Sequence, residues 1–242
     1  MREGRAQHVA DALLGLVLDG TYPPGSTLPS EAEIATRFDV SRLTVREAIR
    51  SLASTRVIRT HQGRSSVISP VEDWSPLEPR LLKARGHASG QPLWLPKRLL
   101  EARRTVEVGI AELAAGRRSE EHLRRMAAFI DRMRKAHAHT DVERFVEADL
   151  AFHVTLFEAV DNVFLDALFE PLASVLRTLR TETSSVPQIR EHAIDWHAKI
   201  LVAVTEGDGD AAREMMRGHL IATEDDTDRY LGSQQVAKAA LG

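Results

Sequence analysis

Three histidines and one aspartate stand where amphipathic helices would bury their apolar faces. Over residues 141–160, Val146, Leu150, Phe157 and Val160 mark an apolar stripe, and Asp149 and His153 fall on it one turn apart. Over residues 187–206, Ile194, Ala198 and Leu201 flank His197; over residues 209–230, Ala212, Met215 and Met216 lead to His219. His197 lies eleven residues before Asp208 and His219 eleven residues after it. Two antiparallel helices joined there bring both imidazoles to one level, about 16 Å from the turn at about 1.5 Å per residue. Inward polar groups need partners. Any one of these histidines alone reads as a hydrogen-bonded core residue. Asp149, His153, His197 and His219 together read as ligands of a divalent metal, Zn, Ni or Mn, since imidazole and carboxylate suit those ions. The chain has no cysteine, which excludes thiolate ligands and disulfides. His87, His122, His137 and His139 lack such placement and read as surface residues. His192 is about 140° around its helix from His197, a weaker position.

Two sets of arginines ask for anions. Arg103 falls within the apolar stripe Leu99, Val106, Ile110 and Leu113, and a buried guanidinium wants a counter-charge. Glu107, one turn on, supplies one within the chain; a bound carboxylate is the alternative. The second set is "VSRLTVREAIRSL", residues 40–52, where Arg42, Arg46 and Arg50 repeat four apart beside the buried stripe Val45, Ala48, Ile49 and Leu52. Between residues 42 and 64 six arginines face one glutamate, although the chain as a whole carries a net charge of −3. The positive charge is therefore local.

The elements that position these residues divide the 242-residue chain into two parts. Residues 6–18 read as a helix, "GTYPPGST" as a loop, and "LPSEAEIATRF" as a short helix with Ser30 and Glu33 at capping-box spacing. After a turn of three or four residues, Ser41 caps the arginine-bearing helix. "VIRTHQGRSSVIS" then reads as a hairpin turning near Gly63. A helix-turn-helix followed by a hairpin is a winged helix, expected over residues 1–70. Ser41, Arg42, Thr44 and Arg46 sit at the end of the recognition helix that enters a major groove, and Arg64 sits at the wing tip. Residues 71–96 read as a proline-rich linker with one helical insert. From Pro96 the expected helices are 97–116, 118–136, 141–160, 162–181, 187–206 and 209–230, an all-α bundle ending near residue 231. Residues 232–242 read as a frayed tail. The fold class expected is mostly α, with a small β-hairpin in the N-terminal domain.

The stretch "LPSEAEIATRFDVSRLTVREAIRSLASTRVIRTHQGRSSV" resembles the GntR family of bacterial transcription regulators. The resemblance implies DNA contacts at Arg42, Thr44 and Arg46 and at Gln62 and Gly63 of the wing. Ala32, Leu43 and Arg56 depart from the family pattern, Arg56 standing where the family usually has a glycine that relieves a left-handed helix end. Residues 97–230, with "EARRTVE", "EADLAFH" and "AAREMMRGHL", resemble the helical ligand-binding domain of the FadR-like branch. That resemblance implies a metal on Asp149, His153, His197 and His219 and a small organic acid assisted by Arg103.

A composition of 43% hydrophobic and 28% charged residues with no long apolar run fits a water-soluble globular chain, and excludes a membrane span. The first twenty residues read as a helix rather than a signal peptide, and a cytoplasmic setting is expected. The leading functional expectation is a metabolite-responsive repressor. It would act as a homodimer on an inverted-repeat operator in double-stranded DNA, with a small carboxylate or sugar acid as effector. A constitutive DNA binder with a structural metal or a polar core is the alternative, and a metal-dependent hydrolase a further one, for which no general base is evident.

Overall fold

The structure is a computed structural model, and its described residues are 2–60, 65–88 and 94–232. They form two compact units, Met1–Gly90 and Gln91–Gly242. No helix among the described residues is long and apolar enough to cross a membrane.

In the first unit, α1 (Arg2–Leu18), α2 (Glu31–Phe38) and α3 (Arg42–Ser54) precede the short antiparallel strands β1 (Ile58–Arg59) and β2 (Val67–Ile68). Ile58 pairs with Ile68 and Arg59 with Val67, and Thr27 adds an isolated bridge to Val67. The capping box at Ser30 forms: its hydroxyl accepts from Glu33 N, while the Glu33 carboxylate accepts from Ser30 N at 2.8 Å. Asp39 closes α2 in the left-handed region, and Ser41 opens α3 by accepting from Thr44 N. Leu13 and Val17 of α1, Ile34 of α2, and Val45, Ile49 and Leu52 of α3 share one core with Ile58 and Ile68. α1 also buries Leu14, while Leu16 is only half-buried.

The segment expected as a linker contributes to this same core. Trp74 and Leu81 are buried in it, and the Trp74 indole N–H donates to Ser69 O. Leu81 lies on α4 (Pro79–Ala88), the helical insert read from the sequence.

In the second unit, α5 (Trp94–Arg117), α6 (Glu120–Ala138), α7 (Val142–Val160), α10 (Pro187–Glu206) and α11 (Gly209–Asp226) form the bundle. α11 packs on α5 and α10, and α7 on α5 and α6. The single helix expected over 162–181 is two: α8 (Val163–Phe169) and α9 (Ala173–Thr183), separated by a 3-10 turn at Glu170–Leu172. Pro171 has no N–H to continue the ladder, so the chain turns there. The last expected helix is α-helical only to Asp226 and passes into a π-helical turn, Thr227–Gly232. The stripe of α5 also differs. Leu113 is exposed and Val106 half-buried, while Val108, Ala111, Ala114 and Ala115 face inward, because small residues allow the close packing of α11.

Candidate functional site

The recognition surface of the first unit is α3. Its apolar stripe fixes the helix in the core, which leaves Ser41, Arg42, Leu43, Arg46 and Arg50 exposed and Thr44 half-buried. Arg46 is held from α2: its Nε donates to Glu31 Oε2 at 2.8 Å. The wing residues Gln62, Gly63 and Arg64 lie outside the described residues. Arg59 on β1 pairs with Asp73. Arg56 adopts φ +61°, the left-handed conformation in which a side chain is disfavoured.

In the second unit, Asp149, His153, His197 and His219 are all buried, at 3% exposure or less. α7 supplies the first two, α10 the third and α11 the fourth. The three imidazoles form one cluster: one ring nitrogen from each lies within 4.8 Å of the others. His153 and His219 stack with centroids 5.5 Å apart, and His197 stands 4.7 Å from His219. The Nε2 atoms of His153 and His197 are 3.1 Å apart. Two ligand nitrogens at right angles around one ion, each about 2.1 Å from it, are separated by about 3 Å. Asp149 stands beside the cluster, with Oδ1 3.7 Å from His197 Nε2 and Oδ2 3.1 Å from Arg180 Nε.

Several of these atoms have no hydrogen-bond partner: both ring nitrogens of His219 and Nδ1 of His197, while the Asp149 carboxylate is met only by the ion pair with Arg180. Orphaned buried groups of this kind are rare in folded proteins. Burial is the main cause that holds His197 and His219 well below the ordinary imidazole range, with neighbouring histidines and the Arg180 and Arg103 guanidiniums adding to it. His153 is lowered by burial too, against the pull of Glu107. The rings are therefore neutral at pH 7, the state that ligates metal. The donor set fits a divalent ion.

Arg103 is buried at 3% exposure and paired with Glu107, its Nε donating at 2.5 Å and its Nη2 at 3.0 Å. The same carboxylate lies 2.8 Å from His153 Nδ1. Burial pushes Glu107 upward, but Arg103 and His153 outweigh it and hold the carboxyl well below its usual range. A carboxylate at Nδ1 favours the proton there and leaves Nε2 free. This double role of Glu107 was not anticipated; the sequence suggested only its pairing with Arg103.

Arg180 on α9 was missed altogether. It is buried at 5% exposure, and its Nη2 lies 3.1 Å from His153 Nε2, as Arg103 Nη2 lies 3.3 Å from the same atom. Burial, aided by the nearby Arg103 charge, lowers its pKa to about 10. The signal that would have found it is the one that found Arg103: a charge one turn beyond Leu176 on an apolar stripe. Both guanidiniums line a narrow cleft with a cavity volume of about 30 Å³, with Pro96, Leu99, Leu176 and Thr223 among its walls.

The other histidines stand apart from the cluster. His122 is half-buried rather than fully on the surface and accepts from Ser119 N at the start of α6, His139 is exposed, and His192 pairs with Asp226 at 2.8 Å. His137 is half-buried rather than fully on the surface; nothing is described of the His87 side chain.

A winged helix on one unit and a buried polar centre beside an arginine-lined cleft on the other define a DNA-binding protein with a sensor domain. Comparison with known proteins places it further. The gntR family of bacterial regulatory proteins matches residues 5–68, and the FCD domain matches residues 98–222. The chain belongs to the GntR family of transcription regulators, in its FadR-like, FCD-containing branch. It is 32% identical to the HTH-type transcriptional regulator LutR of Bacillus subtilis, over 87% of this chain and 95% of that protein. It is 30% identical to the galactonate operon transcriptional repressor of Escherichia coli, over 82% of this chain and 86% of that one. Among solved structures, a GntR protein of Streptococcus agalactiae is 28% identical and superposes with a TM-score of 0.50, over 91% of this chain and 99% of that one. Lar of Listeria monocytogenes, at 18% identity, shares the fold with a TM-score of 0.62, over 93% of this chain and 97% of that one. The protein is thus a DNA-binding transcription regulator with an effector-binding FCD domain, and not an enzyme; the hydrolase alternative falls away. Some FCD domains bind metal ions.

Proposed function

We propose that this regulator is a repressor that binds an inverted-repeat operator as a homodimer and senses a small organic acid. Asp149, His153, His197 and His219 would hold a divalent metal, Zn, Ni or Mn, which when bound supplies a Lewis-acidic charge for the effector's oxygens. Arg103 and Arg180, converging on His153 from the cleft, would take the effector carboxylate, each with paired N–H donors. The observation that carries this reading is the trio of neutral, buried imidazoles, with unpartnered nitrogens on His197 and His219, beside two guanidiniums. The relative named as the repressor of a galactonate operon supports the sign of regulation.

Regulation requires that the ligand bind DNA-competent and DNA-incompetent arrangements unequally. Elemental analysis of tag-free protein before and after chelator, beside His219→Ala, tests the metal. Near-stoichiometric divalent metal, absent from the variant, is expected. A second reading is favoured by the 3.1 Å contact between His153 and His197: an N–H···N hydrogen bond within a metal-free polar core. Metal-free protein whose melting temperature is unmoved by added Zn, Ni or Mn would select it.

A further inference from the structure

One large apolar side chain of α3 takes no part in the core. Val45, Ala48, Ile49 and Leu52 are buried and fix the helix, while Leu43 is 52% exposed. At about 100° per residue, Leu43 points about 200° away from Val45. It shares the outward face with Arg46, Glu47 and Arg50, at i, i+3, i+4 and i+7. It stands at the N-terminal end of that face, the end with which a recognition helix contacts base edges. The rest of the first turn is polar. Ser41 caps the helix, and its hydroxyl lies 2.9 Å from that of Thr44. Arg42 is exposed, and Arg46 is aimed by Glu31. A single exposed leucine is ordinary on a protein surface, but this one stands among guanidiniums on the reading helix of a DNA-binding family.

The floor of a major groove offers one apolar group, the C5-methyl of thymine; the other groups there are donors and acceptors. Leucine neither donates nor accepts. Over guanine, adenine or cytosine it displaces water and returns no hydrogen bond. We infer that Leu43 reads thymine: in each half-site its side chain packs on the C5-methyl of one thymine in the major groove. This rests on α3 being the recognition helix, and adds a base that arginines, suited to guanine and phosphate, do not specify. Leu43 and Arg46 are separated by about 4.5 Å along the helix axis, against about 3.4 Å per base pair. The thymine therefore lies within about two base pairs of the group that Arg46 contacts. Covering one methyl is worth about fourfold in affinity, and the two half-sites together about tenfold or more.

The test uses the full chain and duplexes that it selects from random double-stranded DNA. Each thymine of the selected half-site is replaced in turn by deoxyuridine, which removes the methyl and keeps the pairing edge. At one position, changed in both half-sites, the wild type is expected to lose about tenfold or more in affinity, and Leu43→Ser to lose nothing. A cytosine–guanine pair at that position should weaken wild-type binding, and 5-methylcytosine in place of the cytosine should recover about fourfold per half-site. Leu43→Ser, a polar replacement at an exposed position, should keep the wild-type melting temperature and select duplexes that do not require the thymine. Should that variant not fold, the deoxyuridine and 5-methylcytosine measurements on the wild type decide by themselves. Deoxyuridine tolerated at every thymine, or costing Leu43→Ser as much as the wild type, overturns the methyl contact. The recognition helix then still stands if Arg46→Ala weakens binding. A chain that selects no sequence, or an Arg46→Ala variant that binds as the wild type does, overturns the recognition-helix reading together with it.

Discussion

The Trp196 ring on α10 lies against the bare Cα of Gly218 on α11, so close that a methyl group on residue 218 would overlap three of its carbon atoms. His197 and His219 are the next residues along the two helices. The contact that sets how closely α10 and α11 approach therefore also sets the 4.7 Å separation of their imidazoles. Lys199 covers the same indole, 4.3 Å from the ring centroid.

Gly218→Ala should accordingly destabilise the protein by about 1–3 kcal/mol, the usual effect of overpacking, and lower its metal content. Gly109→Ala on α5 is the control. Nothing lies within 4 Å of its added methyl, and removing a glycine from a helix interior stabilises by about 0.5–1 kcal/mol. Urea denaturation read beside elemental analysis checks both. A Gly218→Ala protein with full stability and full metal would disconnect this contact from the site.

Acid should destabilise the metal-free protein before it affects most carboxylates. Burial keeps His197 and His219 well below the ordinary imidazole value of 6.5 in the folded state. Below that pH the unfolded chain takes up protons that the folded chain refuses, so stability falls as pH falls. Each such histidine loses about 1.4 kcal/mol per pH unit below its unfolded pKa, until the folded pKa is reached. Two of them predict a loss of about 2–3 kcal/mol between pH 6.5 and 5.5. Glu107, held low by Arg103 and His153 against burial, extends the loss below its ordinary value of 4.5. Urea midpoints of chelator-treated protein at pH 7.5, 6.5 and 5.5 measure this. His219→Leu should roughly halve the slope, and a flat profile in the wild type would contradict neutral buried rings.

What the sequence revealed, and what it hid, follows from the range of the signals. Asp149, His153, His197 and His219 were legible because helical periodicity placed them on apolar stripes, and because equal spacing about Asp208 levelled two of them. The capping box at Ser30 and the cap at Ser41 are local and were equally plain. Arg180 was hidden because residues 162–181 were read as one helix through Pro171, with no apolar stripe assigned along it. Trp196 against Gly218 could not be read at all, since a contact between helices depends on their rotation as well as their length. Leu113 misled because the last turns of α5 pack through Ala111, Ala114 and Ala115.

Arg56 was marked as the residue standing where a glycine would relieve a left-handed helix end, and its φ of +61° fits that expectation. Its side chain is exposed. Arg56→Gly should therefore stabilise the winged helix by up to about 1 kcal/mol, the relief of the left-handed strain less the added freedom of the unfolded chain. Denaturation of the full chain, followed at the first-unit core, tests this. A less stable variant would mean that the Arg56 side chain makes a compensating contact.

Arg46 carries the sharpest test of the recognition helix. Glu31 Oε2 holds its Nε at 2.8 Å, which orients the guanidinium while its two terminal nitrogens make no other hydrogen bond or ion pair described on α3. A fork held by its Nε end is ready for bidentate contact with a guanine edge or a phosphate. Arg46→Ala should lower affinity for an operator, selected from random double-stranded DNA by the wild-type protein, by about 1–3 kcal/mol. If the contact is to a base, specificity relaxes at one position; if it is to phosphate, binding weakens evenly and the salt slope falls by about one. Glu31→Gln should give a smaller loss of the same kind, since it leaves the donors in place but loosens their aim. Wild-type affinity in Arg46→Ala, with its melting temperature unchanged, would remove α3 from the DNA interface.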